Sequence, residues 1–341
     1  APGLARDGPG DERRVERLTA RDPAFAAGLR DRVAGQVREG QPLARYSTYR
    51  IGGPATVLLP ATPADVGAAL AFAADAGVPW FAVGLGSNIL LPDEGLDALV
   101  IRVGKGLDTL ERDGDRWRVG AGLPAPLAAR RTAEAGYAGL HIFVGVPGTV
   151  GGGVFMNAGC HGGDWAGVVR SVTVVDPSGR DEVLARDAIP FTYRWSGLGA
   201  RVVVETTVEL RAEAPARLEA ELEEMYRWRR EGTPFNQPCC GSVFKNPGGP
   251  SWKRTDGPQT AGQLVEAAGL KGRRAGAAEV SPIHANYIVN TGGASAADVR
   301  ALIAEVRASV QAQFGVRLDT EVKIIGPDGR YLEGGHEDGH G

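Results

Sequence analysis

The sequence predicts an α+β protein of two domains, and three observations predict it. Its 341 residues exceed what one ordinary core fills. Strand-length apolar runs alternate with helical patterns as far as Ala135 and then give way to turn-linked strands. After Arg211 a small-residue texture changes to charged amphipathic helix, which puts a boundary near 212. The division is therefore a lead-in at 1–40, a first domain at 41–211, a compact α+β second domain at 212–328 and a disordered tail at 329–341.

In order, residues 1–40 mix Arg, Asp, Glu, Gly and Pro around a helical pattern over 22–37, giving a frayed lead-in followed by a helix. A strand over 55–60 runs into Thr62-Pro63-Ala64-Asp65, where a threonine cap and a first-turn proline start a helix that closes at Gly77. Runs at 80–83 and 98–103 are buried strands, and a strand at 116–119 with a helix at 124–135 repeats the alternation. Strands at 168–175 and 201–210, with the turn Asp176-Pro177-Ser178-Gly179, close the first domain. The second domain reads as a proline-started helix at 215–230, a loop around Ser242, a helix at 261–268 capped by Gly269, a strand near 285–289, a long helix at 296–314 and a strand at 316–325. Residues 248–260 form a long Pro- and Gly-bearing link, a surface insert or a lid. The tail carries His336 and His340 in solvated chain.

Composition removes several function classes. Lys and Arg number 38 against 41 Asp and Glu, so a net charge of −3 offers no basic field for nucleic acid and no polybasic membrane footprint. No stretch has the roughly 18 consecutive apolar residues of a membrane span, and the first forty residues hold no signal core. Three cysteines, two of them adjacent, suit a reduced cytoplasm better than a disulfide framework. The protein is thus expected to be soluble and cytoplasmic. Glycine is the deviation, at 50 residues without a collagen-like period, and such glycine belongs to turns and ligand loops.

Two glycine clusters, at 84–88 and 145–153, each follow an apolar run, and consecutive backbone N–H groups in such loops surround anions. Gly84-Leu85-Gly86-Ser87-Asn88-Ile89 lacks the third glycine of a dinucleotide fingerprint, and Leu90-Leu91-Pro92 does not start a helix, which disfavours a Rossmann nicotinamide domain. A P-loop sequence is absent as well. With Ser87, Asn88 and Asn157 interleaved, nucleotide or flavin binding is the better reading, structural turn glycine the alternative. A third segment, Gly241-Ser242-Val243-Phe244-Lys245-Asn246-Pro247, puts a hydroxyl, a cation and a carboxamide within five residues. It reads either as a site loop or as a strand-to-turn junction with an exposed lysine.

Eight segments occur in one order: STYRIGGPA at 47–55, GLGSN at 84–88, GVPGTVGG at 145–152, MNAG at 156–159, YRWS at 193–196, GSVFKNP at 241–247, HANYIVN at 284–290 and EVKIIG at 321–326. Together, over roughly residues 42–327, they resemble the UDP-N-acetylenolpyruvoylglucosamine reductases of peptidoglycan precursor synthesis. The resemblance implies a two-subdomain FAD-binding fold of the vanillyl-alcohol-oxidase-like type, followed by the substrate domain. It implies non-covalent FAD, neither loop holding a His or Cys, bound by Gly84, Gly86, Ser87, Asn88, Ile89, Gly145, Pro147, Gly148, Gly152, Gly153, Asn157 and Gly159, with its pyrophosphate on the loops at 84–88 and 145–153. NADPH and UDP-N-acetylglucosamine enolpyruvate would use one pocket in turn, and no metal and no fixed oligomer are required.

The same resemblance makes Ser242 the proton donor, Arg194 the clamp on the enolpyruvyl carboxylate and Glu321, in an otherwise apolar strand, the third catalytic residue. Tyr226, Lys245, Asn246, His284 and Asn286 are assigned to the UDP-sugar, and Arg227, Arg229 and Arg230 lie near enough in sequence to reach its diphosphate. No spare segment between Arg211 and Ser242 provides the covering insert of the longer subtype, which leaves the shorter one. The alternatives are another FAD oxidoreductase of this fold acting on a sugar or alcohol, and a non-catalytic nucleotide-sugar binding protein.

Overall fold

A computed structural model describes residues 18–248 and 257–334 of the chain. Sequence expectations for 1–17, for most of the 248–260 link and for the histidines of the tail lie outside the described residues. The lead-in that is described belongs to the core. Helix α1 (Pro23–Arg30) buries Phe25, Ala26 and Leu29, and Phe25 stacks on Phe72 with ring centroids 5.1 Å apart. The helix stops well before residue 37, because Gly35 backs onto the Leu59 carbonyl so closely that a Cβ there would lie 2.3 Å away. The chain instead extends into β1 (Gln36–Pro42), so antiparallel pairing with β2 (Pro54–Leu59) overrides the local helical period.

Helix α2 (Pro63–Ala76) carries the expected cap. Thr62 and Asp65 form a reciprocal capping box, and Gly77 ends the helix at φ 65°. Asp65 also accepts from the Ala34 amide at 2.8 Å, tying the lead-in down. Strands β3 (Trp80–Val83), β4 (Ile89–Leu90) and β5 (Leu99–Arg102) follow, and the first sheet runs β1-β2-β5-β3 with β2, β5 and β3 parallel.

The second subdomain opens with β6 (Leu110–Asp113), β7 (Arg116–Gly120), α3 (Ala125–Glu134) and β8 (Tyr137–Ala138). Helix α4 (Val150–Met156) then forms inside the second glycine cluster, where sequence reading saw only loop. Its glycines serve packing: a Cβ on Gly151 would lie 2.7 Å from that of Ala121, and one on Gly153 would lie 2.3 Å from Trp165 Nε1. After the short β9 (Gly159–Cys160) and β10 (Gly163–Asp164) come β11 (Val169–Val175), β12 (Asp181–Ala185) and β13 (Val202–Glu209). They complete an antiparallel sheet of order β12-β11-β13-β7-β6.

Strand β14 (Arg211–Ala212) pairs with β8, and α5 (Pro215–Gly232) packs on α3, with Leu218 buried against Ala133 and Ala138. The helix that follows the change of texture at 212 thus lies on the first domain. A separate core gathers α6 (Ala261–Ala267), β15 (Arg274–Ala275), β16 (Ala278–Val280), β17 (Ile288–Asn290) and α7 (Ala296–Phe314).

The last strands differ most from expectation. The strand expected over 316–325 is only β18 (Lys323–Ile325), so Glu321 occupies a bend ahead of it. The supposedly disordered tail contributes β19 (Tyr331–Glu333), paired with β18. On its other side β18 pairs in parallel with β4, Lys323 opposite Ile89. That pairing sews the two domains together beside the first glycine loop.

Candidate active site

The two glycine clusters form one cradle. Ser87 Oγ donates to the Pro147 carbonyl at 2.8 Å across sixty residues of sequence. Gly84 lies so near Thr149 that a Cβ would come within 2.4 Å of Oγ1, and one on Gly148 would meet Ser87 Oγ at 3.4 Å. Gly86 holds φ 62° with the Tyr46 carbonyl 2.1 Å from where its Cβ would stand, a conformation and a clearance that only glycine satisfies. Thr149 caps α4 through the Gly152 amide at 3.2 Å. These approaches admit no side chain at Gly84 or Gly86, and the two glycine loops so juxtaposed fit the pyrophosphate of FAD.

Not every predicted cofactor residue lines the cradle directly. Asn157, at φ 43° and 2% exposed, spends its carboxamide inside the protein: it donates to the Thr192 carbonyl at 2.9 Å and to Asp164 at 3.2 Å, and accepts from the Ala166 amide at 3.0 Å. Ile89 is buried in β4. Gly153 makes room for Trp165, and a Cβ on Gly145 would lie 3.1 Å from that of Arg229. Asn88 faces the second domain, donating to the Glu321 carbonyl at 3.2 Å.

Asn157 in turn positions Arg194. The turn closed by Thr192 and Trp195 puts Arg194 at φ 59°, an uncommon conformation for a side-chain-bearing residue. Its Nε donates to Glu321 Oε1 at 2.8 Å and its Nη2 to the Gly159 carbonyl at 3.3 Å. Residues 127 apart in sequence thus meet as a largely buried ion pair. Burial raises the Glu321 pKa from its ordinary value, while Arg194 and then Lys245 pull it back. Neighbouring Tyr193 lies under the Arg194 guanidinium, 5.0 Å from ring centroid to Cζ, and its hydroxyl accepts from the Asn246 amide.

The serine loop lies between two strapped segments. On one side the Glu321 amide donates to the Val243 carbonyl at 2.8 Å and the Lys245 amide to the Asp319 carbonyl at 2.9 Å. On the other, Val243 N–H bonds the Asn286 carbonyl at 2.8 Å, and the Asn286 carboxamide both accepts from and donates to the Phe244 backbone, at 3.0 and 2.9 Å. Gly241 provides the entry at φ 77°, its ideal Cβ 3.9 Å from the Ser87 carbonyl. One backbone hydrogen bond therefore separates the Ser242 loop from the Glu321 that holds Arg194.

The residues assigned to the sugar nucleotide divide. Lys245 reaches the site, its charge acting on both Glu321 and Lys323. Asn246 accepts from the first amide of α6 at 3.1 Å, and Asn286 holds Phe244, so both carboxamides support the loop. His284 Nδ1 accepts from the Asn286 amide at 3.2 Å, and burial lowers its pKa, which favours neutral imidazole. Tyr226 points elsewhere, its ring between Arg130 and Phe235. One helical turn further on, Arg229 enters the site and donates to Tyr287 Oη at 2.6 Å. Sequence reading quoted Tyr287 within a motif but gave it no role; a lone phenol in an apolar strand directly after Asn286 was the available signal. The two flanking residues able to attach flavin are occupied otherwise: His141 Nε2 lies 3.2 Å from Glu221, and burial raises the Cys160 thiol.

Known proteins match in two blocks. Residues 54–184 fit the profile described as FAD binding domain, and residues 233–325 fit that of the UDP-N-acetylenolpyruvoylglucosamine reductase C-terminal domain. Curated reductases of that name are 39% identical over 302 residues in Bacillus velezensis and 41% over 303 in Halalkalibacterium halodurans, in each case 87% of this chain and 97% of the relative. The crystal structure of the Thermus caldophilus UDP-N-acetylenolpyruvylglucosamine reductase superposes with a TM-score of 0.72 at 33% identity, covering 85% of this chain and 99% of that one.

Proposed function

Because the chain belongs to the UDP-N-acetylenolpyruvoylglucosamine reductase family, an oxidoreductase family, we propose that it reduces UDP-N-acetylglucosamine enolpyruvate to UDP-N-acetylmuramate in the cytoplasm. FAD, when bound, would supply the hydride carrier between NADPH and C3 of the enolpyruvyl group. The cradle of Gly84, Gly86, Ser87, Pro147 and Gly148 would hold its pyrophosphate without a covalent link. NADPH and the sugar nucleotide would occupy the remaining pocket in turn.

The chain's own groups handle the charge that hydride addition leaves behind. Negative charge develops at C2 and is delocalised into the adjoining carboxylate, and a guanidinium is the donor best shaped to hold it. Arg194 fits that role because Glu321 and Gly159 already fix its fork. Glu321, whose proton is retained to higher pH by burial, stands beside the same carboxylate and supports its enolate form. Ser242 delivers a proton to C2, and Lys245 meets the diphosphate and adds positive potential to the site. The observation that supports this reading is the backbone bond from Glu321 to Val243, which sets the residue that holds Arg194 against the Ser242 loop.

Rapid mixing tests it. In Ser242→Ala, reduction of bound flavin by NADPH should keep its rate, while reoxidation by the enolpyruvyl sugar nucleotide should slow by at least ~10²-fold, the usual cost of a lost general acid. Equal slowing of both half-reactions would remove Ser242 from the donor role. A purified protein with no visible flavin absorbance would remove the flavoenzyme assignment altogether.

A further inference from the structure

We infer that Trp228 recognises the planar base of an incoming nucleotide, its indole forming a stacking platform at the rim of the site. This rests on the reading that NADPH and the sugar nucleotide use one pocket in turn. Trp228 precedes Arg229, the α5 residue that reaches Tyr287 Oη of the second domain at 2.6 Å. At this point α5 runs against the second glycine loop, where a Cβ on Gly145 would lie 3.1 Å from that of Arg229. The indole is turned to the hairpin of β9 and β10, its ring centroid 5.3 Å from that of His161 at an interplanar angle of 74°.

That hairpin belongs to the site. Cys160 pairs with Gly163, and His161 and Gly162 make the two-residue turn between them at φ 50° and 82°. At the base of the hairpin the Gly159 carbonyl accepts from Arg194 Nη2 at 3.3 Å. Two residues of strand, about 7 Å, therefore separate the Arg194 contact from the aromatic pair. Rings so nearly perpendicular cover at most one face of the indole, and Trp228 stays 56% exposed, which leaves the other face open to a ligand. Tyr226, two positions earlier, is already closed between Arg130 and Phe235.

The chemistry of both nucleotides places a base at such a rim. In UDP-N-acetylglucosamine enolpyruvate a sugar and a diphosphate lie between the enolpyruvyl group and the uracil, so with the carboxylate on Arg194 the base falls away from the reacting centre. In NADPH the nicotinamide must reach the flavin, and the adenine at the other end of the diphosphate falls outside in the same way. An indole face holds either base by stacking, which asks for no hydrogen bond and tolerates exchange of one base for another. The edge contact with His161 restrains the ring before a ligand arrives, which lowers the ordering cost of binding.

Trp228→Ala removes the ring and Trp228→Phe keeps a smaller one; both spare the core, because the residue that α5 buries is Leu218. The holoenzyme is titrated with UDP and with NADP+ while indole fluorescence is followed, inorganic diphosphate serving as the base-free control. The emission that Trp228→Phe lacks should be quenched by UDP, by NADP+ or by both, and not by diphosphate, and the nucleotide that quenches identifies the source of the base. In rapid mixing, Trp228→Ala should raise the half-saturating concentration of that nucleotide by at least ~5-fold, with Trp228→Phe intermediate and the limiting rates of both half-reactions within about twofold of wild type. Quenching of equal size in wild type and Trp228→Phe, or unchanged half-saturation in Trp228→Ala, overturns the proposal. Altered sedimentation of Trp228→Ala with nucleotide affinities intact overturns it too, and makes the indole a contact between copies of the chain. A flavin that the enolpyruvyl substrate fails to reoxidise would overturn the substrate assignment alone, since the quenching is read without turnover.

Discussion

Arg194 pays for its place with a left-handed backbone, φ 59°, that an arginine rarely adopts. Asn157 supports that turn from below and Glu321 fixes the guanidinium from across the domain joint. Arg194, Ser242 and Glu321 each sit in a distinctive short motif, and the fold brings the three segments together. The backbone bonds of Asn246 and Asn286 could not be read, since a carboxamide that faces a ligand and one that closes on a neighbouring backbone look alike in sequence. Lys323 escaped notice for the same reason: it lies 5% exposed in β18, donating to the Gly334 carbonyl at 3.0 Å. Burial drops its pKa from the usual 10.5 to about 8. The folded state therefore binds this proton more weakly than the unfolded chain, and stability should rise as pH climbs from about 8 to 10.5. Lys323→Met removes that dependence. Its unfolding free energy relative to wild type, from urea titrations, should be more favourable at pH 7 than at pH 10.5 by at most ~3 kcal/mol, and constant packing losses cancel in the comparison. A pH-independent difference would contradict the assignment.

Elements whose ends are written locally were read correctly. The Thr62 capping box and Gly77 define α2, and Gly315 at φ 66° closes α7 after Phe314. Elements made by contact with distant chain were not. Helix α4 has three glycines in seven residues and forms because Ala121 and Trp165 pack where side chains would otherwise stand. Strand β4 is two residues long, too short for any pattern, and exists only by pairing with β18. The first glycine loop has a testable requirement of its own. In Gly86→Ala the left-handed backbone costs ~1–2 kcal/mol before the Tyr46 carbonyl is displaced, so FAD affinity should fall by at least ~10-fold. The ratio of flavin to protein absorbance after gel filtration measures it; full flavin retention would show that the loop is not part of the cradle.

Across the whole molecule the site exists because three bodies meet. The first domain brings the cradle and Arg194, the second brings the serine loop and Glu321, and α5, packed on the first, brings Arg229 to a phenol of the second. The β4–β18 pairing is the hinge of this arrangement, placing Asn88 against Glu321. The FAD-binding class could be read from motif, but not this joint, because nothing in either strand names its partner. No helix among the described residues is long and apolar enough to cross a membrane.

The central claim is that one site takes electrons from NADPH and gives them to an enolpyruvyl ether. Anaerobic titration tests it most directly: the protein is reduced with one equivalent of NADPH, excess nucleotide is removed, and UDP-N-acetylglucosamine enolpyruvate is added. The account predicts return of the oxidised flavin spectrum with stoichiometric UDP-N-acetylmuramate. A flavin that stays reduced in the presence of that substrate, yet reoxidises on admitting oxygen, would contradict it.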